Sequence, residues 1–261
     1  MKQNFELQEL HSFGIPVEYS SLLEKCIANL SSFSESIYLT GSWALKEGEK
    51  TSDIDFLAVV NNVSSKSSIV EILKKYSTRR MNRRVLDAKV IMKSEIQRLT
   101  EPKLRFYYWN QIHSGILLFG NKFSAKFGIN ESVIEVLLGE LLDTHNHICA
   151  NLESNLMFTG TAALLYETVK TAYYIERYLG FTNTGKTSKN QFIRGILDES
   201  YLLARNCYYN SISTSPDQME LRFLMKTDSK FKTKDYRNLL EAAIAFKPFL
   251  LEEKREIVRR Y

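Results

Sequence analysis

Cysteine is scarce in this chain, with three in 261 residues. Cys26, Cys149 and Cys207 are odd in number, far apart and outside any C-x-x-C spacing, which excludes a disulfide framework and a cysteine-built zinc site. They read as small buried apolar residues. Long hydrophobic runs are missing as well. No stretch reaches eighteen apolar residues without a charge, and "MKQNFELQELHSFGIPVEY" lacks the apolar block and small-residue cleavage site of a secretory leader. The expectation is a cytoplasmic protein with no membrane partner. No internal repeat is visible, and the only loop with marked turn chemistry is "GFTNTGKTS", Gly180 to Ser188.

What is present is an ordinary globular composition: 44% of the residues are apolar, enough to fill one large core or two modest ones. The net charge of +5 is uneven, since residues 1–125 hold 17 Lys and Arg against 13 Asp and Glu, and the rest 18 against 17. The excess gathers in "KKYSTRRMNRR", Lys74 to Arg84. Such a run meets phosphates or nucleic acid, or is simply a solvated helix end and turn.

The first half alternates between helical and strand periods, as an α/β or α+β domain does. "YSSLLEKCIANLSSF" spaces Leu22, Leu23, Cys26, Ile27 and Leu30 along one helix face and leads into the strand "SIYLT". "DIDFLAVV" is the next strand, a helix is predicted from Ser65 to Tyr76, and "RRVLDAKVIM" reads as a third strand. "SEIQRL" offers Ser94 as an N-cap, and "PKLRFYYWNQIHSG" opens on proline and closes on glycine, the order expected of a helix. "ILLFGN" ends this half. From about Asn130 long amphipathic helices take over, which is the pattern of a helical bundle. "KFSAKFGINES" is the expected boundary, dividing the chain into 1–125 and 126–261.

Asp53 and Asp55 stand out in an otherwise apolar strand. Side chains at i and i+2 share a face, so the two carboxylates lie about 7 Å apart along the strand. Both stay ionised if a divalent cation with oxygen ligands sits beside them, and Mg²⁺ suits one or two carboxylates together with substrate phosphates. Gly41 and Ser42 follow "SIYLT". Glycine lets a ligand approach the backbone, and exposed N–H groups at a helix start, with the Ser42 hydroxyl, attract phosphate oxygens. A third carboxylate is available in "RRVLDAKVIM", where Asp87 interrupts an apolar period; the competing reading pairs it with Lys89 or an arginine on an edge strand.

"TGSWALKEGEKTSDIDFLAVV" resembles the signature of the DNA polymerase β-like nucleotidyltransferase superfamily: an apolar strand, Gly-Ser, a spacer of about ten residues and Asp-x-Asp between apolar residues. "LDAKVI" resembles the strand that bears that superfamily's third carboxylate. The resemblance implies an α+β fold in which an N-terminal mixed sheet with flanking helices precedes a C-terminal helical bundle that closes over substrate and nucleotide. It implies metal binding by Asp53 and Asp55, metal binding or catalysis by Asp87, and phosphate contacts from Gly41 and Ser42. The reaction implied is transfer of a nucleoside monophosphate, AMP from ATP or its equivalent from another nucleoside triphosphate, with two Mg²⁺ ions and release of pyrophosphate. Size and the helical second half are similar to aminoglycoside adenylyltransferases, and "NTGKTSKNQF" resembles a segment there that places Lys186 and Lys189 near the triphosphate. The two lysines read equally well as surface residues beside an N-cap at Ser188.

One departure affects the acceptor. Where those enzymes carry a glutamate before the tryptophan, this chain has Tyr108, so a general base must come from Asp87, His113, Glu135 or Glu140. His113 also reads as a half-buried helix residue. His145 and His147 lie two apart on a helix and face different ways, against a shared metal. Glu167 and Glu176 read as solvated, and the pairs Tyr107–Tyr108, Tyr173–Tyr174 and Tyr208–Tyr209 as core packing with polar tips. The expected acceptor is a small hydroxylated compound of the aminoglycoside type. RNA or a protein, as for toxin-like members, is the alternative enzyme reading, and a non-catalytic nucleotide-binding module the third.

Overall fold

The computed structural model describes residues 3–4, 14–48, 53–76, 79–80, 83–84, 86–123, 129–154, 158–179, 187–212 and 233–260. The chain divides into two compact units, residues 1–130 and 131–261. Lys186 and the basic-run residues 77–78 and 81–82 lie outside the described residues.

The first unit holds β1 (Gln3–Asn4), α1 (Val17–Ser31), β2 (Ser36–Thr40), α2 (Gly41–Ala44), β3 (Ile54–Val60) and α3 (Val63–Tyr76). A ribbon of β4 (Arg79–Arg80) and β5 (Arg83–Arg84) follows, then β6 (Leu86–Met92), α4 (Lys93–Gln97), α5 (Pro102–Ser114) and β7 (Ile116–Gly120). The main sheet runs β1-β7-β2-β3-β6. All neighbours are antiparallel except β3 and β6, which run parallel. The sheet is therefore mixed.

Helices cover both faces, which explains why β3 is apolar almost throughout rather than alternating. Ile54, Phe56, Ala58 and Val60 pack with Leu23, Cys26 and Leu30 of α1 and Ile69 of α3. Leu57 and Val59 face the other way, against Ile96 of α4 and Ile112 of α5. Asp53 and Asp55 share the parity of Leu57, so they belong to the α5 face, at the end of the strand that the α5 core leaves behind.

Local signals set the helix starts. The Asn62 side chain accepts from the Ser65 amide at 2.8 Å to open α3. Glu101 caps α5, accepting from Leu104 N at 3.0 Å, with Pro102 in the first turn. Ser94 does not cap α4: the helix already begins at Lys93, and the Glu95 carboxylate reaches back to Met92 N at 2.9 Å. The strand expected from Arg83 to Met92 is split. Arg83 and Arg84 pair with Arg80 and Arg79 in the separate ribbon, and β6 starts at Leu86.

The second unit is helical, with α6 (Glu131–Glu153), α7 (Phe158–Leu179), α8 (Lys189–Leu197), a 3₁₀ turn (Asp198–Ser200), α9 (Tyr201–Ile212) and α10 (Thr233–Arg260). His145 of α6 is fully buried and its Nε2 lies 2.7 Å from the Ala243 carbonyl of α10. His147 is exposed, as expected for a histidine two residues away. Ser188 caps α8 in a capping box, with Gln191 N to Ser188 Oγ at 3.3 Å and Ser188 N to Gln191 Oε1 at 3.0 Å. No helix among the described residues is long and apolar enough to cross a membrane.

Candidate active site

Three strand ends meet at one edge of the sheet. β2 finishes at Thr40, whose register partner on β3 is Asp55, and Asp55 in turn lies opposite Asp87 of the parallel strand β6. Asp53 immediately precedes β3, two residues from Asp55 and on its face. One carboxylate oxygen from each of Asp53, Asp55 and Asp87 lies within 4.8 Å of the other two. All three are half-buried. Among the described residues no other group of three or more His, Cys, Asp or Glu side chains comes together this way.

Like charges so close repel by about 1 to 3.5 kcal/mol per pair for effective dielectric constants of roughly 80 to 20. That energy favours a cation among them. The donors are all hard carboxylate oxygens, and this chemistry fits Mg²⁺ or Mn²⁺ rather than a thiolate- or imidazole-seeking metal. The chain's own residues therefore suit the ion that the sequence resemblance implies.

Gly41 shapes the site from the third side. It has φ of +67°, and a Cβ added there would run into the Asp55 carboxyl group. Only glycine combines that left-handed backbone with room for the carboxylate. The turn that follows is anchored rather than loose: Ser42 is buried at 7% exposure and Trp43 at 3%, the indole joining the core of α1 and α3. The Ser42 carbonyl accepts from Glu47 N at 2.8 Å, and Lys46 turns the chain at φ of +59°. Trp43 escaped the sequence reading because an aromatic residue after a Gly-Ser turn has no periodicity to announce it.

The candidate bases are placed as follows. Asp87 is a member of the carboxylate group. His113 is exposed near the end of α5, its ring 4.4 Å from that of Trp109 and stacked on it. Partial desolvation and then the Lys122 charge lower its pKa below the ordinary histidine value, which favours the neutral imidazole. Glu135 and Glu140 are both exposed on α6 of the helical unit.

Lys189 belongs to the helical unit, at the first position of α8, and is buried at 9% exposure rather than lying on the surface. The largest departure from expectation is Glu176, read as solvated and found 1% exposed within the helical unit. Glu167, on the same helix, is half-buried.

Residues 20–134 match the family described as the nucleotidyltransferase domain. Among solved structures, the chain is similar to the crystal structure of spectinomycin adenyltransferase AAD(9) from Enterococcus faecialis with ATP and spectinomycin. That similarity has 14% identity and a TM-score of 0.49, and covers 87% of this chain and 98% of that one. No curated protein matches the sequence.

Proposed function

We propose that residues 20–134, which match the nucleotidyltransferase domain, form a nucleotidyltransferase of the polymerase β-like kind that transfers a nucleoside monophosphate, AMP from ATP, to a hydroxyl group of a small acceptor of the aminoglycoside type. The observation that carries the reading is the approach of Asp53, Asp55 and Asp87 to within 4.8 Å beside Gly41. Asp53, Asp55 and Asp87 would hold two Mg²⁺ ions, which would supply charge neutralisation on the triphosphate and polarisation of the reacting phosphoryl group.

The remaining work falls to groups of the chain itself. Gly41, without a side chain, leaves the Asp55 carboxylate in place and lets the triphosphate approach the backbone, and Ser42 contributes a hydrogen-bond donor. Lys186 and Lys189 are phosphate contacts. Asp87 stands on the edge strand β6, and it accepts the proton of the acceptor hydroxyl as that oxygen bonds to the α-phosphorus. The bond to the β-phosphate then breaks and pyrophosphate leaves.

The acceptor class rests on the size and helical second half that resemble aminoglycoside adenylyltransferases. An RNA acceptor is the second reading, favoured by one observation: four arginines occupy directly paired positions of the β4–β5 ribbon, two residues before β6. Pyrophosphate release from ATP, GTP, CTP and UTP with Mg²⁺ should be measured against aminoglycosides, lincosamides, tRNA and candidate proteins. Release with an aminoglycoside and ATP is the expected result. If no acceptor elicits pyrophosphate release with any nucleotide, and Asp53→Asn leaves metal-dependent nucleotide binding unchanged, the enzyme reading fails.

A further inference from the structure

Ring contacts lay out the helical unit in layers. Tyr166 of α7 lies 6.3 Å from Tyr201, just beyond the end of α8, and Tyr173 lies 5.4 Å from Phe192 of α8. Moving up α7 is thus moving down α8, and the two helices are antiparallel. Phe192 also meets Phe249 of α10 at 5.5 Å. Glu199, directly after α8, accepts from Asn238 at 2.9 Å and pairs with Lys234 at 3.5 Å near the start of α10. α10 is therefore antiparallel to α8 as well.

One helical turn beyond the Tyr173–Phe192–Phe249 layer, helix spacing carries three charged residues to the same level. Glu176 is three positions after Tyr173, Lys189 three before Phe192, and Glu253 four after Phe249, each on the stripe of the ring it follows. The helix directions carry all three toward the same end. They are buried at 1%, 9% and 8% exposure, respectively. A lysine here is disfavoured twice. Burial penalises its charged form, and the first position of a helix places it at the positive end of the dipole. The same position favours carboxylates.

We infer that Glu176 and Glu253 are positioning residues that flank Lys189, keep its ammonium protonated in a buried layer and fix the direction in which it points. The inference rests on the reading of Lys189 as a phosphate contact, because a neutral lysine would not serve there. Tyr173 belongs to the ring layer and its hydroxyl accepts from the exposed Arg177 at 3.4 Å, while Arg194 lies at the other end of α8, 4.8 Å over the Tyr201 ring. On α10, Glu252 is exposed and pairs with Arg255 and Arg259.

The test uses the full chain with ¹⁵N-labelled lysine, the Lys189 signal being identified by its loss in Lys189→Arg. Wild-type Lys189 is expected to titrate at or above the ordinary lysine range, and the Glu176→Gln/Glu253→Gln variant to titrate about three units lower. Mg·ATP affinity should be flat from pH 6.5 to 8.5 in the wild type and fall on the order of tenfold over that span in the double variant. Adding Lys189→Arg to the double variant should flatten the profile again, since arginine stays charged when buried. Each single variant reports the same shift in smaller measure should the double one fold poorly. An unchanged Lys189 titration in the glutamine variants overturns the inference. A lowered titration with pH-independent ATP affinity supports the carboxylate flank and removes Lys189 from the phosphate contacts.

Discussion

Replacing Gly41 by alanine tests the geometry of the carboxylate site more sharply than removing a carboxylate. The left-handed backbone at φ of +67° costs a residue with a Cβ about 1–2 kcal/mol. In a unit of this size that lowers Tm by roughly 2–8 °C. The new methyl group also occupies the space of the Asp55 carboxyl, so that carboxylate must move away from Asp53 and Asp87. Displacing one ligand of a three-carboxylate site should weaken Mn²⁺ binding, followed by electron paramagnetic resonance, about 10- to 100-fold. A misplacement of that kind should slow nucleotidyl transfer by a factor on the order of 100. Gly120→Ala is the control. Its φ is +86° and its added Cβ would strike the Glu35 carbonyl, so strain is at least as great. Gly120 pairs with Ser36 at the start of β2, however, whereas Asp55 pairs with Thr40 at its end. Gly120→Ala should lose comparable stability and keep its Mn²⁺ affinity. The reasoning is refuted if Gly41→Ala loses Tm but binds Mn²⁺ as the wild type does.

Two further outcomes follow from the same geometry. Asp87→Asn should raise Tm in chelator, by relieving repulsion among the three carboxylates, while cutting nucleotidyl transfer about 10³-fold, as loss of several kcal/mol of transition-state stabilisation requires; an equal rise in Tm with saturating Mg²⁺ would contradict it. His113, with its pKa lowered by burial and by Lys122, should titrate by NMR below 6.5 and move back toward that value in Lys122→Gln. Because the unfolded chain binds that proton at higher pH than the folded one, His113 adds stability as pH rises through the interval between the two values and loses it on acidification. A stability profile in which His113→Gln leaves this interval unchanged would show the imidazole to be unperturbed.

Asp53 and Asp55 were legible because the two-residue period acts inside a single strand, and no partner has to be known to see that they share a face. Asp87 was legible as an odd carboxylate in an apolar run. What no local pattern contains is the register: β6 lies parallel to β3, and a shift of one residue would have sent Asp87 into the α1 and α3 core. The same blindness joined Arg83 and Arg84 to β6, since alternation does not say which neighbour a strand takes, and it passed over β1, a two-residue edge partner of β7. Glu176 was misread for a related reason. A glutamate on an amphipathic helix defaults to water, but α7 packs against α6, α8, α9 and α10, and little of its surface is left to solvate.

The parallel pairing of β3 with β6 has a kinetic side. Asp53 and Asp55 are neighbours in the chain from the moment it is made, whereas Asp87 reaches them only after β3, the α3 crossover and β6 have all been laid down in register. Crossovers of this sort close late, because their loop entropy is spent before any contact rewards it. A full set of three carboxylate ligands thus exists only in the finished sheet, and a folding intermediate with β6 undocked offers a cation no more than an ordinary pair of surface aspartates. A cation held by all three carboxylates would therefore bind only the completed sheet, and its binding would favour the native topology over partly folded ones.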